Sequence, residues 1–179
     1  SAVIPLTADM NPDESWLIIN ARIIDGTGAP GFDGALRVKS GLIQEIGDLS
    51  ALPGERVVDA GGKILAPGFI DTHSHADSDL FELADALPAT SQGITTAVVG
   101  QDGGSEWPLS EFFQRLEREP VALNIASYSG HNTLRDKVMG KDFRRHASDA
   151  EIESMASMLD QDMAAGALGL ATGMEYDPG

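Results

Sequence analysis

Four ionisable side chains stand at every second position directly after an apolar run: Asp71, His73, His75 and Asp77. The run, residues 64–70, predicts a buried strand that Pro67-Gly68 interrupts. Because side chains alternate between the two faces of a strand, the four ionisable groups are expected to point the same way. Two imidazoles at this spacing can close on one metal ion or on one edge of a two-metal site, and imidazole suits Zn, Fe or Ni. A neighbouring carboxylate can ligate the ion or orient one of its ligands.

The alternative to a metal site is that this histidine pair has no function. A single His-X-His pair is common in proteins and is more often without a role. Four ionisable groups on one face, directly after an apolar strand, are however costly to bury unless a metal ion compensates them. The sequence therefore favours a metal site.

Composition excludes several other classes of function. The chain has 179 residues, of which 42% are hydrophobic and 22% charged, as in a globular protein. A net charge of −16 disfavours nucleic acids and anionic membranes as partners, since both require basic surfaces. There is no cysteine, so neither disulfides nor thiolate ligands exist. No apolar run is long enough for a membrane span. We expect a cytoplasmic protein, with a removed signal peptide as the alternative.

The N-terminal portion, residues 1–63, is expected to be a small β-sandwich portion preceded by a tail over residues 1–15. Turn-forming glycines separate short stretches with strand character. The predicted strands are Trp16–Ile19, Ala21–Asp25, Ala35–Lys39, Leu42–Ile46 and Arg56–Asp59. Ser40-Gly41 predicts a tight hairpin between the third and fourth of these.

Residues 64–179 alternate between predicted strands and helices. The strands are Ile64–Ile70, Ile94–Val99, Val121–Ser127 and Ala167–Thr172. The helices are Asp79–Gln92, Ser110–Glu119 and Ser148–Ala165, and the last opens with a capping box of Ser148 and Glu151. Apolar strands alternating with helices indicate a parallel sheet.

Polar residues follow the carboxyl end of each predicted strand, where a β/α barrel places its active site. They are His73 and His75, Gln101 and Asp102, His131 and Asn132, and Thr172, Glu175 and Tyr176. The pattern predicts an α/β fold with about four strand–helix units of a TIM-like barrel. A doubly wound open sheet is the alternative, although no dinucleotide-binding glycine motif follows the first strand.

Several stretches resemble the amidohydrolase superfamily, and within it the N-acyl-D-amino-acid deacylases (D-aminoacylases). The first is Pro67-Gly-Phe-Ile-Asp-Thr-His-Ser-His75 after a turn-rich β portion. The others are residues 92–100, residues 129–135 with Val138-Met-Gly140, and residues 166–178. The resemblance covers nearly the whole chain from about Trp16. It implies a small β-sandwich attached to a metal-dependent hydrolase barrel, and amide hydrolysis on an N-acyl-D-amino acid, with one or two divalent ions, zinc in the first place.

The resemblance also assigns roles to individual residues. His73 and His75 would be metal ligands, and Asp102 occupies a position where family members often place a metal-binding cysteine. The alternative for Asp102 is a turn residue in Asp-Gly-Gly. Tyr176 matches a tyrosine that reaches the substrate.

His131, Arg135, Asp71 and Asp77 are further candidates, each with a structural alternative. His131 would either bind substrate or make a structural hydrogen bond. Arg135 would bind a substrate carboxylate or form an internal salt bridge. Asp71 and Asp77 would orient a metal ligand or pack structurally.

A complete barrel needs eight strands and about 250 residues, and this sequence supplies about four strands. The family's two further metal-binding histidines and its catalytic aspartate come from later strands. We therefore expect a second polypeptide, or a missing C-terminal part, to complete the barrel and to supply the general base. Two rival functions stay open: another amidohydrolase reaction, on a cyclic amide (hydantoinase or dihydroorotase type) or a dipeptide, and a non-catalytic binding or assembly subunit.

Overall fold

The computed structural model describes residues 14–179. The predicted tail, residues 1–15, lies outside the described residues except for its last two positions. The chain divides into two compact units, Ser1–Pro67 and Gly68–Gly179. Among the described residues, none of the helices combines the length and the apolar character that crossing a membrane requires. The cytoplasmic location stays a prediction.

The described part of the first unit is one mixed β-sheet with the strand order β3-β2-β1-β4 and with β5 also beside β1. Its strands are β1 (Ser15–Ile23), β2 (Phe32–Lys39), β3 (Leu42–Gly47), β4 (Arg56–Asp59) and β5 (Ile64–Leu65). The pairs β1–β2 and β2–β3 are antiparallel, whereas β4 and β5 run parallel to β1. No second sheet packs on it within residues 14–67, so the sandwich stays a prediction.

Local turn chemistry explains the shape of this sheet. Ser40 and Gly41 both have positive φ angles, 51° and 73°, as a two-residue hairpin requires, and the predicted hairpin is confirmed. The two strands predicted at Trp16–Ile19 and Ala21–Asp25 form the single strand β1. An irregularity at Asn20, whose φ is 55°, separates its two halves without ending the pairing.

A nearly buried ion pair lies beside this sheet. The Glu55 carboxylate, 1% exposed, accepts a hydrogen bond of 2.7 Å from Arg37 Nε, and Ser15 Oγ donates to the same oxygen. The hydrogen bond from Arg37 is the main reason that the pKa of Glu55 falls from 4.5 to about 2.

Replacing Glu55 by glutamine should make the stability of the first unit depend less on pH in the acidic range. Because the pKa of Glu55 is lower in the folded state, its contribution is complete above about pH 4.5, declines as the pH falls and is lost near pH 2. Thermal unfolding across this pH range should show a smaller decrease for Glu55→Gln than for the wild type. Glu45→Gln is the control, because the exposed Glu45 carboxylate contacts the same arginine and should contribute little. Parallel wild-type and Glu55→Gln curves would contradict the assignment.

The second unit contains parallel strands joined by helices. The strands are β6 (Phe69–Asp71), β7 (Ile94–Val99), β8 (Asn124–Ser127), β9 (Ser129–Gly130) and β10 (Leu170–Ala171). The helices are α1 (Leu87–Thr90), α2 (Leu109–Arg118), α3 (His131–Met139) and α4 (Asp149–Ala165), with 3-10 turns at Ala76–Asp79 and Gly140–Asp142. Parallel pairing gives the orders β6-β7-β8 and β10-β9. The α/β class is confirmed; the barrel units stay a prediction.

Two predicted elements differ from the structure, and a third element was not predicted. The predicted strand Ile64–Ile70 is two strands, β5 and β6, because Pro67 lacks a backbone donor and Gly68 packs where a side chain would overlap Thr95. The predicted helix Asp79–Gln92 is wrong: a 3-10 turn and the four-residue α1 replace it, with Ala86 between them at a φ of 44°. Helix α3 was not predicted.

Other boundaries shift by a few residues. The strands predicted at Val121–Ser127 and Ala167–Thr172 shorten to β8 and β10, and helix α2 begins at Leu109 rather than after Ser110. Helix α4 follows its prediction, with Ser148 and Glu151 forming a complete capping box and Gly166 ending the helix at a φ of 108°.

A buried carboxylate in α4 connects this helix to α2 and to β9. Asp162 in α4 is fully buried, and its two oxygens accept hydrogen bonds from the Leu109 amide (3.0 Å) and from Ser129 Oγ (2.6 Å). Leu109 is the first residue of α2 and follows Pro108, which has no side chain able to cap a helix. Asp162 therefore accepts a hydrogen bond from the first residue of α2 and another from the first residue of β9.

Replacing Asp162 by alanine should lower the free energy of unfolding by roughly 3 kcal/mol, because two buried donors then lose their acceptor. Urea unfolding followed by far-UV circular dichroism measures the change. Asp160→Ala is the matched control, because Asp160 is an exposed carboxylate in the same helix. Equal losses in both variants would show that the buried contacts contribute nothing.

Candidate metal centre

Two loops that follow neighbouring parallel strands bring three metal-binding side chains together. His73 and His75 follow β6, and Asp102 follows β7. Asp102 Oδ2 lies 3.3 Å from His73 Nε2 and 3.1 Å from His75 Nε2. One potential ligand atom from each residue lies within 4.8 Å of those from the other two. We call these three residues the ligand trio.

The ligand trio fits a divalent cation. Ligand bonds near 2.1 Å at tetrahedral angles place two ligand atoms about 3.4 Å apart, close to both observed nitrogen–oxygen separations. The side chains of His73, His75 and Asp102 are 60%, 59% and 38% exposed, so an ion can reach them. Two imidazole nitrogens and one carboxylate oxygen form a ligand set that suits Zn²⁺ and the neighbouring transition metals.

Backbone contacts between the two loops hold the ligand trio in place. The Ser74 amide, between the two histidines, donates to the Val98 carbonyl of β7 at 3.0 Å. Gln101 is 8% exposed, and its Nε2 donates to the carbonyls of Thr72 and Val98, both at 3.0 Å. This buried amide therefore binds the histidine loop to the end of β7.

Asp102 is presented by a left-handed turn. Its φ is 54°, that of Gly103 is 83°, and the Gly104 amide donates to the Gln101 carbonyl at 3.0 Å. Aspartate tolerates this conformation better than most residues. Asp102 is thus a turn residue, as the alternative to a metal ligand predicted, and its side chain nevertheless lies beside both histidines.

Asp71 and Asp77 contact backbone amides rather than the side chains of the ligand trio. Strand β6 ends at Asp71, so the strand-like alternation expected from Asp71 to Asp77 does not occur. Asp71 Oδ1 accepts a hydrogen bond of 3.2 Å from the His73 amide, and Asp77 Oδ2 accepts one of 3.4 Å from the Gly100 amide. Asp71 thereby fixes the turn that precedes His73.

An open cleft of about 490 Å³ adjoins the ligand trio. His75 and Asp102 line it together with Tyr176, whose side chain comes from the loop after β10. Tyr176 is 59% exposed, so its hydroxyl is accessible to a small molecule. The structure therefore brings Tyr176 to the same cleft as two of the ligand trio.

His131 and Arg135 line a different groove, of about 430 Å³, beside α3 and α4. Arg135 Nη2 donates to the carbonyls of Phe143 (2.5 Å) and Arg145 (2.9 Å), so its contacts are internal hydrogen bonds rather than a salt bridge. His131 Nδ1 is buried and has no hydrogen-bond partner. Neither residue lines the cleft beside the ligand trio.

The sequence places Gln101 and Asn132 among the polar residues that follow predicted strands, but it gives neither of them an individual role. Asn132 is 7% exposed and donates to the Gly173 and Tyr176 carbonyls. The signal for both residues was their type and position: an amide that follows the carboxyl end of a strand.

Comparison with known proteins places the chain in a family. The sequence pattern of the amidohydrolase family matches residues 56–177, well over half of the chain. The chain belongs to the amidohydrolase family. The family predicted from the histidine motif and its companion stretches is therefore confirmed.

Among characterised amidohydrolases, this chain is similar to N-acyl-D-aspartate deacylase of Alcaligenes xylosoxydans xylosoxydans, with 39% identity over 96% of this chain. It covers 39% of the length of that relative. The predicted similarity to deacylases of N-acyl-D-amino acids is thus confirmed for a region that is less than half of such an enzyme.

Two solved amidohydrolase structures share the fold. The first is N-acyl-D-glutamate deacylase of Bordetella bronchiseptica, in complex with zinc and a phosphonate mimic of the tetrahedral intermediate. It matches with a TM-score of 0.86 and 38% identity, and the match covers 92% of this chain and 39% of that one. A D-aminoacylase with a binuclear metal centre matches with a TM-score of 0.83 and 36% identity over 91% and 39%. Zinc, the expected cofactor, is thus the ion in one of these relatives.

Proposed function

We propose that this amidohydrolase chain carries part of the active site of a metal-dependent deacylase of N-acyl-D-amino acids. The observation that supports the proposal most is the ligand trio, which lies beside the cleft that also contains Tyr176. The similarity to deacylases that act on N-acyl derivatives of D-aspartate and D-glutamate supports the substrate class.

The roles of the residues follow from their positions. His73, His75 and Asp102 would hold a divalent ion, which when bound supplies Lewis-acid chemistry that polarises the amide carbonyl and acidifies a water. The Tyr176 hydroxyl would donate to the substrate carboxylate or to its acyl group. Gln101 would hold the loop of His73 and His75 against the end of β7, and Asp71 would hold the turn that precedes His73. The contacts of Arg135 favour a structural role for this residue.

We propose further that strands from outside this sequence, on a second polypeptide or on a C-terminal part of the same protein, complete the sheet and supply the general base. Within the described residues, β6 and β10 are each paired on one side only. Phe69 and Ile70 on β6 are 60% and 62% exposed, and Leu170 on β10 is 45% exposed. Unpaired strands that expose large apolar side chains bind further strands readily. An aspartate that shuttles protons, expected from the resemblance, would then come from the completing polypeptide.

Intact mass spectrometry and a native gel of the purified protein test the completion. A second, larger chain that co-purifies with this one supports it. An isolated, monomeric chain of 179 residues contradicts it.

A substrate panel with metal analysis tests the reaction. The panel contains N-acetyl derivatives of D-amino acids and of their L-enantiomers, together with cyclic imides and dipeptides. The proposal predicts turnover of the D-series and stoichiometric metal. Preference for cyclic amides or dipeptides would favour the other hydrolase reactions. Less than stoichiometric metal without any turnover would favour a non-catalytic subunit.

A further inference from the structure

One buried amide joins the start of helix α3, which also contacts the loop that carries Asp102, to the loop that carries Tyr176. Asn132 lies in the first turn of α3, and its Nδ2 donates to the carbonyls of Gly173 (3.0 Å) and Tyr176 (3.3 Å). The two acceptors belong to a segment that is 41 to 44 residues further along the chain. These contacts do not cap α3, because the start of that helix has no side-chain cap.

The segments around Asn132 touch so closely that glycine is required at each contact. A Cβ atom at Gly103 would overlap Asn132 Oδ1, and one at Gly173 would overlap the Asp102 carbonyl. A Cβ atom at Gly130 would overlap the Gly103 carbonyl. The backbone of Asp102 is therefore packed directly between the start of α3 and the loop that carries Tyr176.

Hydrogen bonds attach the Asp102 loop to the start of α3 as well. The Thr133 amide donates to the Gly103 carbonyl at 3.1 Å, and Thr133 Oγ1 exchanges two bonds of 3.0 Å with the backbone of Ser105. The Gly130 amide donates to Ser105 Oγ at 2.9 Å. The start of α3 thus binds the Asp102 loop through Gly130 and Thr133. It binds the Tyr176 loop through Asn132.

We propose that Asn132 is a positioning residue that sets the affinity of the ligand trio for its ion by holding the Asp102 and Tyr176 loops together. The inference rests on the proposed metal site and names a residue that belongs neither to the ligand trio nor to the lining of the cleft beside it. Without the amide, the Gly173 and Tyr176 carbonyls keep only the bonds from the Tyr176 and Gly179 amides of their own loop. The side-chain hydrogen bonds that hold this loop to α3, beside the Asp102 backbone, are then lost. Residues that orient metal ligands typically contribute tenfold to a hundredfold in metal affinity.

The test compares three variants of the protein as isolated, with any polypeptide that co-purifies. Asn132→Ala removes the amide, and Asn132→Asp keeps its size but replaces the donor by an acceptor. Asn124→Ala is the matched control, because Asn124 also donates to a backbone carbonyl (Thr95, 2.9 Å) but at the amino end of β8. Zinc affinity is measured by competition with a chromophoric chelator, and ligand geometry by the visible spectrum of the cobalt-substituted protein.

In both Asn132 variants the affinity for zinc should fall by about tenfold or more, and the cobalt spectrum should change. Asn124→Ala should match the wild type in both measurements. A role in stability alone would lower the melting temperature and leave affinity and spectrum unchanged, which would overturn the inference. Wild-type affinity in Asn132→Asp would overturn it too, because filling space would then suffice. A wild-type protein that binds no zinc would contradict the proposed function itself, a result distinct from unchanged affinity in the variants.

Discussion

Replacing His73 by alanine is expected to remove most of the bound metal and, with it, amide hydrolysis. His73 supplies one of the two imidazole nitrogens in the ligand trio, and the carboxylate oxygen of Asp102 lies 3.3 Å from it. Two ligands from this chain cannot hold the ion in the geometry of three, so its occupancy should fall from near stoichiometric to near zero. Plasma mass spectrometry measures metal per chain, and release of the free D-amino acid measures activity.

His146→Ala is the control for this experiment. His146 is also an exposed histidine, but it lines the groove beside α3 and α4 rather than the cleft of the ligand trio. It should keep both metal and activity. If His73→Ala retained full metal and full activity, the ion would be held elsewhere and the proposed site would be wrong.

Local interactions explain the elements that the sequence predicts well. The hairpin at Ser40-Gly41 depends on two residues with positive φ angles, and helix α4 depends on its capping box at Ser148 and Glu151. In both cases the decisive contacts join residues at most three positions apart. Such contacts depend on residues that are neighbours in the sequence, so the residue types alone predict where they form.

Predictions fail where longer contacts outweigh local preference. Apolar residues at helical spacing between Asp79 and Gln92 predict a long helix, yet Leu80 is buried in the core of the second unit while Leu83 and Leu87 are exposed. The Ala122 amide donates to the Ala84 carbonyl, a contact between segments 38 residues apart that the pattern does not encode. Tertiary contacts override helix propensity at such positions.

The ligand trio was partly predictable. His73 and His75 follow from a motif within three residues, whereas the proximity of Asp102 depends on the parallel pairing of β6 with β7. The contacts that orient the trio, from Gln101 and Asn132, join loops 29 to 44 residues apart. Residue type and position after a strand point to such amides, but their partners become visible only in the folded chain.

The position of Asp102 raises a question that a single substitution answers, because its backbone and its side chain suggest different roles. As a turn residue, Asp102 is needed for its φ of 54°, which asparagine tolerates equally well. As a ligand, it is needed for its negative charge beside two imidazoles. Asp102→Asn keeps the turn and the size of the side chain and removes only the charge.

Asp102→Asn is therefore expected to lower zinc affinity by about a hundredfold, or about 2.8 kcal/mol, without lowering the melting temperature of the metal-free protein. Asp102→Cys should restore tight zinc binding and shift the preference towards softer ions, because a thiolate is a softer ligand than a carboxylate. Glu106→Gln is the control, since Glu106 is an exposed carboxylate in the same cleft outside the ligand trio. Chelator competition with zinc and with manganese measures each change. Unchanged zinc affinity in Asp102→Asn would show that Asp102 serves the turn alone and that the two histidines depend on ligands from outside this chain.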